Sequence, residues 1–71
     1  MLVFRQERLS EVVAEINRYR PGHILIADSQ LAGRRVDGTF YVAQLDQFFD
    51  QVRSAFGASV TRLPGGIVVI A

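Results

Sequence analysis

Two segments of the chain carry the same pattern of apolar residues, 36 positions apart. The first reads Phe4-x4-Leu9-x2-Val12-Val13-x2-Ile16, and the second reads Phe40-x4-Leu45-x2-Phe48-Phe49-x2-Val52. The register continues beyond these segments, because Ile24 aligns with Val60. In each half a short strand precedes apolar residues at helical spacing, and a second strand follows a glycine-containing turn. The repeat therefore predicts two βαβ units in tandem, folded as a single domain over residues 1–71.

The detailed pattern predicts the element order β-α-β-β-α-β-β. Strands are expected at residues 2–4, 24–27, 35–42, 59–63 and 67–70, and helices at about residues 7–20 and 44–56. Residues 29–34 are expected to form a loop or a single helical turn. Pro21-Gly22 is expected to end the first helix, Gly57 to cap the second, and Gly38 to mark a bulge or a close backbone approach. The apolar run at residues 24–27 predicts a strand buried on both faces.

Two architectures share this element order. One is a ferredoxin-like sheet with both helices on one face, and the other places the helices between two small sheets. Each helix carries a full apolar stripe and one additional residue, Tyr19 or Phe56. This wider apolar surface favours helices that are covered on more than one side. We therefore predict an α+β fold, a tandem βαβ repeat with two helices between two small β-sheets.

The charge distribution argues against several classes of function. The net charge is +1 and eight arginines are interleaved with seven acidic residues, so the chain lacks the basic stripe of a nucleic-acid-binding protein. With no cysteine and one histidine, it does not predict a metal site, because structural zinc needs four ligands. Acidic residues recur at helical spacing, as expected on exposed helix faces: Glu7, Glu11, Glu15, Asp46 and Asp50. No cofactor and no catalytic residue is predicted, and the expected class is a protein-binding module.

The end of the first helix contains the first pair of candidate binding residues. Arg18 and Tyr19 are residue types that are over-represented at binding hot spots, so they are candidates for contact with a partner. The alternative is structural: Tyr19 would close the core, and Arg18 would pair with Glu15 or Asp28.

The second group of candidates belongs to the strand at residues 35–42 and the residue before it. Strand alternation places Arg35, Asp37, Thr39 and Tyr41 on one face. This face, together with Arg34, is either solvated or a recognition surface, because the exposed edge of a short sheet can pair with a strand from another protein. The apolar strand at residues 67–70 raises a similar choice, since it is either core or an edge open to strand addition and homodimer formation.

Four short motifs, taken in order, resemble a known family. They are Phe4-x4-Leu9, Ile16-Asn17-Arg18-Tyr19, Ile24-x-Ile26-Ala27-Asp28 and Val36-Asp37-Gly38-Thr39-Phe40. Their order and spacing resemble the C-terminal periplasmic domain of the FecR-type (iron-dicitrate sensor) anti-sigma regulators, over essentially all 71 residues. The resemblance implies a fold related to the secretin and TonB short N-terminal domain, with two βαβ units and the helices held between two small sheets.

The resemblance also implies a role in recognition without chemistry. Regulators of this family cross the inner membrane once and hold an extracytoplasmic-function sigma factor through a cytoplasmic segment. Their periplasmic domain receives a signal from the N-terminal signalling domain of a TonB-dependent outer-membrane siderophore receptor. The chain is then expected to be the periplasmic receiving domain, a fragment of a longer membrane-anchored regulator whose membrane helix and sigma-binding segment lie outside it.

Two other functions remain alternatives. The receptor's own signalling domain, like the short domain of secretins, shares the apolar skeleton. Receptor domains usually carry Gln-x-Gly at the end of the first helix, where this chain has Asn17-Arg18-Tyr19-Arg20-Pro21-Gly22, and the difference favours the regulator. The other alternative is a ferredoxin-like ligand-binding or enzymatic domain, which would show a concave polar pocket on an open sheet face.

Overall fold

The strands form two separate sheets. The structure, a computed structural model, describes residues 1–20 and 22–71, so the role assigned to Pro21 lies outside the described residues. The elements are β1 (Leu2–Arg8), α1 (Leu9–Asn17), β2 (His23–Ile26), α2 (Ser29–Ala32), β3 (Arg35–Phe40), a 3-10 turn (Val42–Gln44), α3 (Leu45–Phe56), β4 (Val60–Leu63) and β5 (Ile67–Ile70). β1 pairs with β3, while β2, β5 and β4 form the second sheet in that order. The predicted α+β architecture with two small sheets is confirmed, and the described strands do not form a single ferredoxin-like sheet.

β5 is the central strand of the three-stranded sheet. β2 runs parallel to it, with His23 opposite Ile67 and Ile26 opposite Ile70, and β4 runs antiparallel on its other side. Val68 and Ile70 are buried, so the strand at residues 67–70 belongs to the core. The edges of this sheet are therefore β2 and β4.

A β-bulge moves the boundary between the first strand and the first helix. The register of β1 against β3 shifts between Phe4 and Glu7, and Gln6 adopts a left-handed φ of 52°. Beyond the bulge the strand resumes, so β1 includes residues that were predicted to begin the helix. The irregularity expected at Gly38 is found on the opposite strand, because Gly38 pairs with Phe4, the last regular residue before the bulge.

The core is one apolar cluster to which all three helices contribute. Its largest fully buried side chains are Phe48, Leu9, Ile16, Ile24, Ile70, Val12 and Val52. A series of aromatic contacts crosses it, with ring centroids 6.0 Å apart for Phe4 and Phe40 and 5.2 Å apart for Phe40 and Phe48. The second pair packs edge to face, an arrangement that the charge distribution of aromatic rings favours.

Two residues expected in the core are exposed. Leu25 on β2 is 45% exposed, so the prediction of a strand buried on both faces is wrong. The helices pack against the face that carries Ile24, and the opposite face of the three-stranded sheet is open to solvent. Tyr19 is 59% exposed and does not close the core, whereas Phe56 at the end of α3 packs against it.

The helices are short, and the longest one ends as predicted. Gly57 follows α3 with a left-handed φ of 65°, and its N–H donates to the C=O of Arg53 at 3.0 Å. Among the residues that the structure describes, no helix has the length and apolar character needed to cross a membrane.

Candidate protein-binding surface

The exposed face of β3 has the predicted phase. The residues exposed on it or directly after it are Arg35, Asp37, Thr39 and Tyr41. Val36 and Phe40, which alternate with them, are buried. The strand itself ends at Phe40, and Tyr41 precedes the 3-10 turn. The side chain of Val42, expected on the inner face, lies outside the described residues.

Two residues of this face hold the β-bulge of β1 in place. The Asp37 carboxylate accepts hydrogen bonds from the main-chain N–H of Gln6, at 2.8 Å, and from the Gln6 side-chain amide. Nη1 of Arg35 donates to the C=O of Gln6 at 3.1 Å. A left-handed residue with a side chain costs about 1–2 kcal/mol, so these three bonds stabilise a backbone conformation that is otherwise unfavourable. Arg35 and Asp37 therefore have a structural role within the domain.

Arg34 connects the loop before β3 to two helices. Its guanidinium carbon lies 5.0 Å from the centroid of the Phe56 ring, within the range of a cation–π contact. Its N–H donates to the C=O of Leu31 at 3.0 Å, and its C=O accepts from the N–H of Leu9 at 2.8 Å. These bonds fix the loop against α2 and against the start of α1.

Arg18 and Tyr19 lie in the turn directly after α1, and both are accessible. Nη1 of Arg18 lies 2.9 Å from a carboxylate oxygen of Glu15, which is one of the two predicted pairings. The Arg18 side chain is 72% exposed, and exposed ion pairs contribute at most about 1 kcal/mol to stability. The N–H of Tyr19 donates to the C=O of Ile16 at 3.0 Å, while its ring points into solvent.

Asn17, which precedes these two residues, has a role that the sequence did not predict. Its Oδ1 accepts a hydrogen bond from the N–H of Ile24 at 2.9 Å, and its Nδ2 donates to the C=O of Ile24 at 3.1 Å. The side-chain amide thus binds both main-chain groups of one residue in β2. It takes the place of a neighbouring strand and joins the end of α1 to the edge of the sheet.

A depression beside Tyr19 contains two arginines outside the predicted set. It has a volume of about 340 Å³ and includes Arg20 and Arg62 in its lining. Arg62 is held in place, because its Nη2 lies 2.6 Å from an Asp46 carboxylate oxygen and its guanidinium carbon lies 5.4 Å from the centroid of the Phe49 ring. Nη1 of Arg20 is buried and makes no hydrogen bond with any described residue. The residue types gave no signal for this arrangement.

The five predicted residues fall into two groups at opposite ends of β3. Arg34 and Arg35 lie at the start of the strand, next to the bulge of β1. Tyr41 lies at its other end, and Ala43 borders both the depression beside Tyr41 and the depression beside Tyr19. A strand of six residues is about 20 Å long. The structure therefore does not combine all five residues into one compact site.

Three glutamates line a separate groove beside β1. The groove has a volume of about 330 Å³ and is bounded by residues 1–4 and by Glu7, Glu11 and Glu15. The pKa of Glu7 is raised, first because its side chain forms a hydrogen bond with Glu11. Loss of solvent and the negative charge of Glu11 raise the pKa further, and Arg35 opposes them. The groove therefore binds a proton more readily than isolated glutamates would.

Comparison with known proteins assigns no family to this chain. No protein-family model matches it, and no curated protein matches it significantly. Within residues 1–20 and 22–71, no group of three or more His, Cys, Asp or Glu side chains is placed to hold a metal ion. The functional interpretation therefore depends on the sequence motifs and on the geometry of the surface.

Proposed function

We propose that this chain is the periplasmic signal-receiving domain of a transmembrane anti-sigma regulator. It binds the N-terminal signalling domain of a TonB-dependent outer-membrane siderophore receptor, and through the rest of its parent chain it controls an extracytoplasmic-function sigma factor. The observation that carries the proposal is the order and spacing of the four motifs between Phe4 and Phe40. The two small sheets with helices between them are also the fold that the resemblance implies, which supports the proposal.

The contact residues that fit this role best are the two tyrosines. Tyr19 and Tyr41 are 59% and 50% exposed and lie on either side of Ala43. Tyrosine and arginine supply a large share of the binding energy in protein interfaces, and Arg18 lies next to Tyr19. Arg35 is a weaker candidate for contact, since its guanidinium already donates to the bulge of β1.

Titration calorimetry of this domain against the signalling domain of the receptor encoded beside its parent gene tests the proposal. We expect a dissociation constant in the micromolar range or below. Tyr19→Ala and Tyr41→Ala should each weaken binding about tenfold, which corresponds to the loss of about 1.4 kcal/mol. Gln47→Ala changes an exposed residue of α3 and serves as the control with unchanged affinity.

The absence of binding, with both domains folded by circular dichroism, would contradict the proposal. Binding to the periplasmic domain of an anti-sigma regulator, and not to a receptor domain, would identify the chain as a receptor-side signalling domain. Equal affinity of the tyrosine variants and the wild type would show that the contact surface lies elsewhere on the domain.

A further inference from the structure

The main-chain hydrogen bonds of β4 show which of its groups face outward. Ser59 and Ala71, just beyond the paired strands, exchange both main-chain hydrogen bonds, at 2.8 and 3.0 Å. Bonded and non-bonded positions alternate in an antiparallel pair, so Thr61 also bonds to β5. The N–H and C=O groups of Val60 and Arg62 therefore point away from β5, toward the edge of the sheet.

The corresponding edge on β2 is closed by a side chain. The N–H of Ala27 donates to the C=O of Ile70 at 2.8 Å, and every second residue of a parallel strand bonds to the same neighbour, so Ile24 faces away from β5. Both outward groups of Ile24 are bound by the Asn17 amide. A strand approaching this edge would have to displace that amide, and only Ile26 lies between it and the end of β2.

The internal repeat places a different residue beside β4. Ile24 aligns with Val60, and by the same offset Asn17 aligns with Arg53. A guanidinium has only donors, so Arg53 cannot accept a hydrogen bond from the N–H of Val60. Its Nη1 instead lies 2.9 Å from a carboxylate oxygen of Asp50. In the described part of the chain, no side chain binds the outward main-chain groups of β4, so the second βαβ unit leaves open the edge that the first one closes.

The two-stranded sheet offers poorer edges for an incoming strand. The bulge between Phe4 and Glu7 interrupts the ladder of β1, and bulges of this kind distort an edge that could otherwise pair. On β3, the side-chain amide of Gln51 lies 3.4 Å from the C=O of Asp37 and partly occupies that edge. β4 is thus the most regular open edge of the domain.

We propose that β4 is the edge to which the receptor's signalling domain adds a strand. This inference rests on the proposed function and specifies where the partner docks. The occupant is an extended segment of that partner, because only another extended main chain matches the outward N–H and C=O groups of Val60 and Arg62. A second copy of this chain fits less well: β4 is about 13 Å long, and a pair of such strands buries far less than the roughly 1,200 Å² of a stable interface.

Amide hydrogen exchange, measured by NMR for the domain alone and bound to the receptor's signalling domain, tests this proposal. In the free domain, the amides of Val60 and Arg62 should exchange rapidly, while the amide of Ile24 should be protected by Asn17. In the complex, the Val60 and Arg62 amides should become protected at least tenfold.

The possible results separate this inference from the proposed function. A complex in which both β4 amides still exchange freely would overturn the edge assignment and leave the proposed function standing. The absence of any complex would overturn both. Protection that increases with the concentration of the domain alone would identify a second copy as the occupant and also overturn the proposal.

A pair of substitutions at Arg62 tests main-chain pairing directly. Arg62→Pro removes an N–H that points outward, and proline is tolerated on an edge strand in this orientation. Arg62→Gln removes the guanidinium and keeps the N–H, which makes it the matched control. We expect Arg62→Pro to weaken binding at least tenfold and Arg62→Gln to change it less than threefold.

Equal weakening in both Arg62 variants would replace main-chain pairing with a side-chain contact and overturn the proposal. Unchanged affinity in a folded Arg62→Pro variant would overturn it as well. If circular dichroism shows that Arg62→Pro does not fold, the exchange measurement on the wild-type complex decides.

Discussion

Replacing Asn17 with alanine removes both hydrogen bonds that join α1 to the edge of β2. The partner residue Ile24 is 1% exposed, so its N–H and C=O would be left unbonded at a largely buried position. An unsatisfied buried group costs about 1–3 kcal/mol, and alanine recovers roughly 0.5 kcal/mol through its higher helix propensity. We therefore expect the free energy of unfolding to fall by about 2–4 kcal/mol. Since a core of this size supplies only about 3–5 kcal/mol, the variant should be close to unfolding without denaturant.

Arg53→Ala is the matched control, because it changes the equivalent position of the second βαβ unit. Arg53 forms only an exposed ion pair with Asp50, so its loss should change the free energy of unfolding by about 0.5 kcal/mol or less. Urea unfolding curves, followed by circular dichroism, give the free energies of unfolding for the wild type and both variants. Amide exchange gives a local readout, since the Ile24 amide should lose its protection only when Asn17 is replaced.

Equal stability of the two alanine variants would refute the argument, as would an Ile24 amide that stays protected in Asn17→Ala. Asn17→Asp tests the geometry further, because it keeps the acceptor and loses the donor. At neutral pH its carboxylate would face the C=O of Ile24, so its folded-state pKa should be raised. The variant should then be most stable below about pH 4 and lose stability, relative to the wild type, as the pH rises through that pKa.

Two further predictions concern a close backbone approach and a pair of acids. Gly22→Ala should destabilise the domain by about 3 kcal/mol or more, because φ is 92° and an added Cβ would lie 2.3 Å from the C=O oxygen of Gly66. Gly33→Ala, where φ is −88° and the nearest atom would be 3.8 Å away, should be neutral or slightly stabilising in the same thermal unfolding experiment. Glu11→Gln should stabilise the domain at neutral pH and not at about pH 3, because the raised pKa of Glu7 means that the wild type loses stability as Glu7 ionises beside Glu11. Urea titrations across this pH range would contradict the last prediction if the two stability curves ran parallel.

Features that depend on local sequence were predicted well. The element order, the alternation along β3 and the left-handed cap at Gly57 each depend on residues within a few positions of one another. The pairing of Arg18 with Glu15 is likewise a contact within one helical turn. The division into two sheets was favoured by the wide apolar stripe of α3, and Phe56 does pack against the core.

Features that depend on distant contacts could not be predicted in the same way. The left-handed Gln6 is held by Asp37, 31 positions later, and nothing near Gln6 in sequence signals a bulge. The exposure of Leu25 depends on which face of its sheet the helices cover. The role of Asn17 could not be recognised without knowing that β2 is an edge strand, because only then do the outward groups of Ile24 lack a neighbouring strand.

The central position of β5 also has a consequence for how the domain acquires its fold. β2 and β4 do not pair with each other, and His23 meets its partner Ile67 only 44 positions later. Contacts this distant form slowly, because a long loop must close before any pairing stabilises it. During synthesis, neither strand has its native neighbour until β5 has emerged. We therefore expect the three-stranded sheet to assemble in one late step, so that an incomplete chain offers no finished β4 edge to a partner.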